Sequence, residues 1–199
     1  VETGDSRPIR DGVGSARWSP DGRYIAYVRG AGGDGAEVFV RWMDDGTTRQ
    51  VTRLAESPGS VRWSPDSKRI AFTMNVPREA TPLASMPKKP AGAEWAPAPK
   101  VIQQFRYRAD GGGYLDDADR QVFVVDAMGG TPRQLTDGPA DHGGGLMWAD
   151  EGTLLFSANL REDRHDHPND TDLWSLRVAD GELTKLTFRE GPDGGAALD

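Results

Sequence analysis

The sequence contains no cysteine among its 199 residues. Disulfides, thiolate zinc centres and a cysteine nucleophile are therefore excluded from this chain, and the composition fits a reducing compartment. Histidine is scarce, with three copies at positions 142, 165 and 167. Long apolar runs are missing: none approaches the roughly 18 residues that mark a membrane-spanning helix. The opening Val1-Glu2-Thr3-Gly4 has neither an initiator methionine nor an apolar signal core. A cytoplasmic location is the expectation on these grounds. Positive charge is in deficit, with 24 Lys and Arg against 31 Asp and Glu and a net charge of −7. Nucleic acids and anionic membrane faces select a basic footprint, so neither is expected as a partner.

The hydrophobic fraction is 36%, but that figure leaves out 25 glycines. Counting glycine brings the apolar share into the roughly 45–50% range of globular chains, which excludes intrinsic disorder. Together with 14 prolines, the glycines argue for many tight turns and against a helix bundle. Six tryptophans are also more than a chain of this length usually carries.

Three segments repeat one unit. The first is Ala16-Arg17-Trp18-Ser19-Pro20-Asp21-Gly22-Arg23-Tyr24-Ile25-Ala26-Tyr27, and the second is Val61-Arg62-Trp63-Ser64-Pro65-Asp66-Ser67-Lys68-Arg69-Ile70-Ala71-Phe72. The third, Leu146-Met147-Trp148-Ala149-Asp150-Glu151-Gly152-Thr153-Leu154-Leu155-Phe156, keeps the tryptophan and the apolar ending but loses the proline. Each reads as strand, tight turn, strand. Proline presets one turn angle, aspartate bonds back to the backbone, and glycine accepts positive φ. The apolar endings suit a strand buried on both faces. A β-branched or aromatic run follows in each unit: Glu37–Trp42, Gln121–Asp126 and Asp172–Arg177. These runs end in turns at Asp45-Gly46, Gly129-Gly130 and Asp180-Gly181. A short closing strand follows, as Arg49-Gln50-Val51-Thr52, Arg133-Gln134-Leu135-Thr136 and Thr184-Lys185-Leu186-Thr187. Four short strands per unit are therefore expected, joined by hairpin turns.

Trp18 and Trp63 lie 45 residues apart, within the roughly 40–45 of a four-stranded propeller blade. Trp63 and Trp148 lie 85 apart, so the middle unit carries about 40 extra residues, expected at about 75–120 between its second and third strands. Ile9-Arg10-Asp11-Gly12 matches Leu135-Thr136-Asp137-Gly138 and reads as the end of a preceding blade. The expected fold is all-β, a partial β-propeller of about three blades plus one leading strand. Its segments are 1–12, 13–54, 55–138 with the insertion, 139–188, and 189–199 as the start of a next blade. Closure typically takes four to eight blades, so three imply either a fragment or a second polypeptide that completes the ring.

The Trp-Ser-Pro-Asp-Gly, Ile-Ala-Tyr/Phe and Arg-Gln-Leu-Thr set resembles the repeat shared by TolB-like proteins and the prolyl oligopeptidase family of serine peptidases. Arg106-Tyr107-Arg108-Ala109-Asp110-Gly111-Gly112-Gly113-Tyr114-Leu115-Asp116-Asp117, followed by Gln121–Asp126, resembles the acylaminoacyl-peptidase branch. Asp141-His142, Phe156-Ser157-Ala158-Asn159 and Asp172-Leu173-Trp174 are also similar to that branch. The resemblance implies a propeller that precedes and caps an α/β-hydrolase domain, where serine attacks peptide through a Ser-His-Asp triad. It implies no cofactor, a peptide substrate, the remainder of the same enzyme as partner, and allows for homo-oligomers. No Gly-x-Ser-x-Gly occurs here, since Ser6, Ser15 and Ser60 each lack the second glycine, and the three histidines fall in links or loops. No catalytic residue is therefore carried over, and this chain alone is expected to be inactive. The alternative reading is a non-catalytic TolB-like propeller that binds another protein.

Within the insertion, six prolines at 77, 82, 87, 90, 97 and 99 argue against regular structure. Propeller insertions emerge at rims, where they cover an opening or grip a partner. Arg106 and Arg108 are the candidate substrate-binding residues, because a guanidinium forks onto carboxylates and carbonyls. The competing reading pairs them with Asp110, Asp116 or Asp117 to hold the loop. Asp163, His165, Asp166, His167, Asp170 and Asp172 lack a calcium-loop glycine and a third fixed ligand for His-x-His, so a solvated loop is expected and no metal. Trp18, Trp63 and Trp148 are expected to pack between blades rather than to cage a ligand.

Overall fold

A computed structural model describes residues 12–32, 35–78, 89–92, 94, 102 and 107–197. The leading strand expected at 9–12 falls outside the described residues except for Gly12. Two compact units are present, Val1–Val76 with Asp119–Asp199, and Pro77–Ala118. No helix long and apolar enough to cross a membrane occurs among the described residues.

The first unit holds three four-stranded antiparallel sheets. Blade 1 comprises β1 (Val13–Trp18), β2 (Tyr24–Gly30), β3 (Ala36–Trp42) and β4 (Thr48–Gln50), paired in that order. Blade 2 comprises β5 (Gly59–Trp63), β6 (Arg69–Pro77), β9 (Ala118–Asp126) and β10 (Arg133–Gln134). Blade 3 comprises β11 (Gly144–Trp148), β12 (Thr153–Ala158), β13 (Asp172–Arg177) and β14 (Leu183–Lys185). Between β6 and β9 lies a separate two-stranded hairpin, β7 (Arg108–Ala109) with β8 (Gly113–Tyr114). The innermost strands β1, β5 and β11 lie side by side, an arrangement that makes the fold a partial β-propeller.

Local chemistry explains the hairpins between the first and second strands. In blade 1, Ser19 Oγ donates to Asp21 Oδ1 at 2.7 Å and accepts from the Tyr24 amide at 2.9 Å. In blade 2, Ser64 Oγ donates to Asp66 Oδ1 at 2.6 Å and accepts from the Arg69 amide at 2.9 Å. The turn then needs a left-handed residue. Gly22 supplies it at φ 73°, whereas Ser67 adopts φ 60° at the matching place, at some cost for a residue with a Cβ. Blade 3 has lost the serine and keeps only the aspartate, with the Gly152 amide donating to Asp150 Oδ1 at 2.7 Å.

Each inner strand also carries a bulge, where the register shifts between Gly14 and Arg17, Gly59 and Arg62, and Gly144 and Met147. Inside each bulge one residue is left-handed: Ser15, Ser60 and Gly145. A bulge inserts one unpaired residue and sharpens the twist, which re-aims the tryptophan that follows.

Period-two alternation sends every second strand residue to each neighbour. Ala26, Val38 and Val40 of blade 1 pack with Trp63, Ile70, Phe72 and Phe123 of blade 2. The other face of blade 2, with Ala71, Val122 and Val124, packs with Trp148, Leu154, Phe156 and Leu176 of blade 3. Burying each of the larger side chains contributes roughly 1.5–3 kcal/mol, so these two seams hold the blades together. Trp63 and Trp148 are buried as expected of interblade packing. Trp18 is not: it is 58% exposed, and this corrects the expectation that all three tryptophans are core. A tryptophan at this position packs against the blade before its own, and the described residues place none beside Trp18.

Candidate functional site

Antiparallel pairing puts the connections between second and third strands, and the links between blades, at one end of the sheets. The short first-to-second and third-to-fourth turns lie at the other. The first end is variable. Its second-to-third connections are 31–35 in blade 1, 78–117 in blade 2 and 159–171 in blade 3. In blade 2, β6 runs on to Pro77 and β9 begins at Ala118, and the long connection lies between them.

Within the insertion, Arg78 ties the two ends together. Its amide donates to the Asp117 carbonyl at 2.9 Å and its guanidinium pairs with the Asp117 carboxylate at 3.3 Å. The hairpin above that tie is short because Gly111 and Gly113 both take positive φ. The rings of Tyr107 and Tyr114 lie 6.2 Å apart, and the Leu115 amide donates to the Tyr107 carbonyl at 2.9 Å. Tyr107, Tyr114 and Leu115 are exposed. Arg108 sits in register with Tyr114, is exposed, and makes no ion pair with a described residue. The carboxylate of Asp117 is instead engaged by Arg78. Arg106, the other candidate, lies outside the described residues. The hairpin thus presents two aromatic rings and a guanidinium to solvent, a set suited to an extended peptide through ring contacts and bonds to carbonyls or a carboxylate.

At the root of β9, a second cluster gathers around the link to blade 3. Asp141 Oδ1 accepts from the Arg120 amide at 2.9 Å, and the His142 amide donates to the Arg120 carbonyl at 2.8 Å. The His142 ring is buried, lies edge-on to Phe156 at 5.9 Å, and has Nδ1 3.0 Å from the Ala140 carbonyl. Burial pushes its pKa below the ordinary 6.5, the Ala140 carbonyl acting in the opposite direction. A proton is therefore held weakly there, which suits a packing role.

The acidic run on blade 3 folds around an arginine. Arg161 forks onto Asp163 at 2.7 and 2.9 Å and reaches Asp170 at 3.0 Å. That pairing holds the Asp163 carboxyl down at about 2. Asp170 also accepts from the Gly191 amide at 2.8 Å, and Asn159 Nδ2 donates to the His167 carbonyl at 2.7 Å. An open cavity of about 360 Å3 lies here, lined in part by Arg161, His167, Asp170 and Glu190. His165 and His167 are exposed. Among the described residues no three histidine, aspartate or glutamate side chains come together to hold a metal.

Two features escaped sequence reasoning. One is a buried latch in which Thr52 Oγ1 accepts from the Val38 amide at 2.9 Å and donates to the Glu37 carboxyl at 2.6 Å. Thr136 repeats it, accepting from Val122 at 2.9 Å and donating to Gln121 at 2.7 Å. The shared separation of 15 residues between the hydroxyl and its acceptor was a visible signal. The other is a clasp between blades: Trp63 Nε1 donates to the Arg17 carbonyl at 3.0 Å, and Trp148 Nε1 to the Arg62 carbonyl at 3.2 Å.

Comparison with known proteins adds the following. No family model matches the chain. Over 174 residues it is 30% identical to the uncharacterized peptidase YuxL of Bacillus subtilis, covering 85% of this chain and 26% of that protein. Its fold is similar to the acylaminoacyl peptidase of Pyrococcus horikoshii, with a TM-score of 0.65 at 20% identity over 89% of this chain and 25% of the other. It is also similar to TolB from Acinetobacter baumannii, with a TM-score of 0.53 at 15% identity over 94% of this chain and 35% of the other. The chain spans about a quarter of the length of the peptidases it matches. Sequence and fold meet on one conclusion: the chain is similar in sequence to a peptidase, and its partial β-propeller is similar in fold to the propeller regions of acylaminoacyl peptidases.

Proposed function

We propose that this chain is the propeller portion of a serine peptidase of the acylaminoacyl-peptidase or oligopeptidase type. In this reading it gates the approach of peptides and helps position them for an α/β-hydrolase domain outside this sequence. The observation that carries it is the interrupted blade 2, whose inserted hairpin offers Tyr107, Arg108 and Tyr114 to solvent. Likeness to YuxL, itself described as a peptidase, supports the same reading. Arg108, with Arg106 beside it in sequence, would bind peptide carbonyls or a terminal carboxylate, contributing to binding before and during attack alike. The test is kinetic. In the intact polypeptide carrying this sequence, a fluorophosphonate probe should label a serine outside residues 1–199, and Arg106→Ala and Arg108→Ala should raise KM while leaving kcat unchanged. Unchanged kinetics in both variants would remove the positioning role. Absence of labelling would leave a non-catalytic TolB-like module that binds another protein through the same hairpin.

A further inference from the structure

The inner strands of blades 1 and 2 each set an arginine immediately before the tryptophan: Arg17 on β1 and Arg62 on β5. The two occupy one place in the repeat, since Arg17 pairs across its hairpin with Ala26 and Arg62 with Ala71. β1 and β5 lie side by side, and the Arg17 carbonyl accepts the indole of Trp63, the residue next to Arg62. Both side chains fold back in the same pose. Arg17 Nη1 donates to the Ala16 carbonyl at 2.9 Å, and Arg62 Nη1 donates to the Val61 carbonyl at 3.0 Å. A guanidinium carries five N–H donors, and that bond uses one.

Neither arginine makes an ion pair with a described residue. Arg29, Arg69 and Arg133 also lack a carboxylate partner, but the first two lie over the rings of Phe39 and Trp148 and the third bonds the Val178 carbonyl. Arg17 and Arg62 do neither. Arg17 is exposed and Arg62 half-buried. Burial pushes the Arg62 pKa below its ordinary value, and the like charge of Arg17 pushes it the same way. Two neighbouring cations in a partly dry place repel, and an anion between them would turn that cost into a gain.

The third inner strand narrows the ligand. At the matching register β11, which lies beside β5, carries Met147, paired across its hairpin with Leu155 and half-buried. A carboxylate has two oxygens, enough for both guanidinium forks, and bears a carbon substituent that a thioether accepts. Inorganic phosphate satisfies the arginines but offers Met147 nothing to cover.

We propose that Arg17 and Arg62 form a carboxylate-binding site on the inner strands, which takes the free C-terminal carboxylate of a peptide and sets its last side chain towards Met147. The site lies beside the short first-to-second turns and shares no residue with Arg106 and Arg108. It rests on the peptidase reading only in taking the carboxylate to be a peptide's.

The test is calorimetric, on the intact polypeptide after fluorophosphonate treatment, so that hydrolysis does not intrude. The probes are N-acetyl-Ala-Ala-Leu with a free carboxylate, the same peptide as its C-terminal amide, and inorganic phosphate. The acid should bind about tenfold more tightly than the amide, and added salt should narrow that ratio. Arg17→Gln and Arg62→Gln should each bring the acid down to the amide. Arg62→Lys should recover only part of the preference, because an ammonium keeps the charge without the fork. Arg29→Gln should keep all of it. An acid bound no better than the amide, a preference that survives both glutamine variants or is lost equally in Arg29→Gln, or phosphate bound in place of the acid, would overturn the proposal. Fluorophosphonate labelling is scored separately. An acid preference without label sinks the peptidase reading and keeps the site, and label without the preference does the reverse.

Discussion

Between blades 1 and 2 the indole of Trp63 is covered by the ring of Tyr24, whereas between blades 2 and 3 the indole of Trp148 is covered by the guanidinium of Arg69. The indole hydrogen bond is the same in both, and only its covering differs. Backbone position sets the bond: each bulge delivers its tryptophan opposite a carbonyl two residues past the bulge of the neighbouring strand. The cover is a half-buried side chain at the start of the second strand, and any flat group that stacks on indole serves there. The junctions therefore separate what the repeat must keep from what it can vary.

The strongest way to break that likeness is to empty the seam itself. Phe72→Ala removes a fully buried ring stacked on Phe123 at 5.5 Å, and Phe156→Ala does the same at the second seam. Each should cost about 3–5 kcal/mol in denaturant unfolding. A loss under about 1 kcal/mol at either would mean that the seam is not packed as described.

The latch should give a smaller effect. Thr52→Val or Thr136→Val leaves a strand amide and a buried carboxyl or amide side chain without their partner, and about 1–3 kcal/mol should be lost. In blade 3 the matching Thr187 takes the Leu173 amide at 2.9 Å but is only half-buried, so Thr187→Val should cost less. Equal losses in all three blades would contradict the role assigned to burial.

Exchanging the covers tests the variable half of the clasp. Arg69→Tyr should be tolerated better than Arg69→Ala, which should cost roughly 0.5–1 kcal/mol. If tyrosine is no better than alanine, the two covers are not equivalent.

Titration gives the finest distinction. The Ser19 hydroxyl and the Arg23 amide hold folded Asp21 at about 2 against 3.8, so this carboxylate stabilises the fold above 3.8 and the benefit fades as pH falls towards 2. Asp66 is depressed in the same direction by Ser64, whereas the third turn has no serine to contribute. Asp21→Asn should flatten stability between those two pH values. His142 runs through a different window: its folded pKa lies below 6.5, so the folded state binds fewer protons and stability declines as pH drops below 6.5. His142→Gln should remove that slope, and an unchanged slope would assign it to other groups.

Much of this molecule is legible one residue at a time. Strand and turn positions follow from apolar alternation punctuated by Ser-Pro-Asp-Gly and Asp-Gly, because these act within a few residues of themselves. Blade count follows from the 45-residue spacing, and the insertion from the 85-residue gap. The candidate site was only half legible. Arg108 could be singled out as a cation in a rim insertion, but its place across from Tyr114, and the capture of Asp117 by Arg78, depend on how the hairpin closes.

By itself, then, the sequence determined the repeat, the antiparallel blades and the absence of cysteine chemistry, all of which rest on local preference or on composition. Only the tertiary structure decided that Trp63 and Trp148 are clasped while Trp18 stands open, though all three occupy one place in the repeat. The reason is physical: a tryptophan is buried by its neighbour in space, and that neighbour lies a whole blade away along the chain.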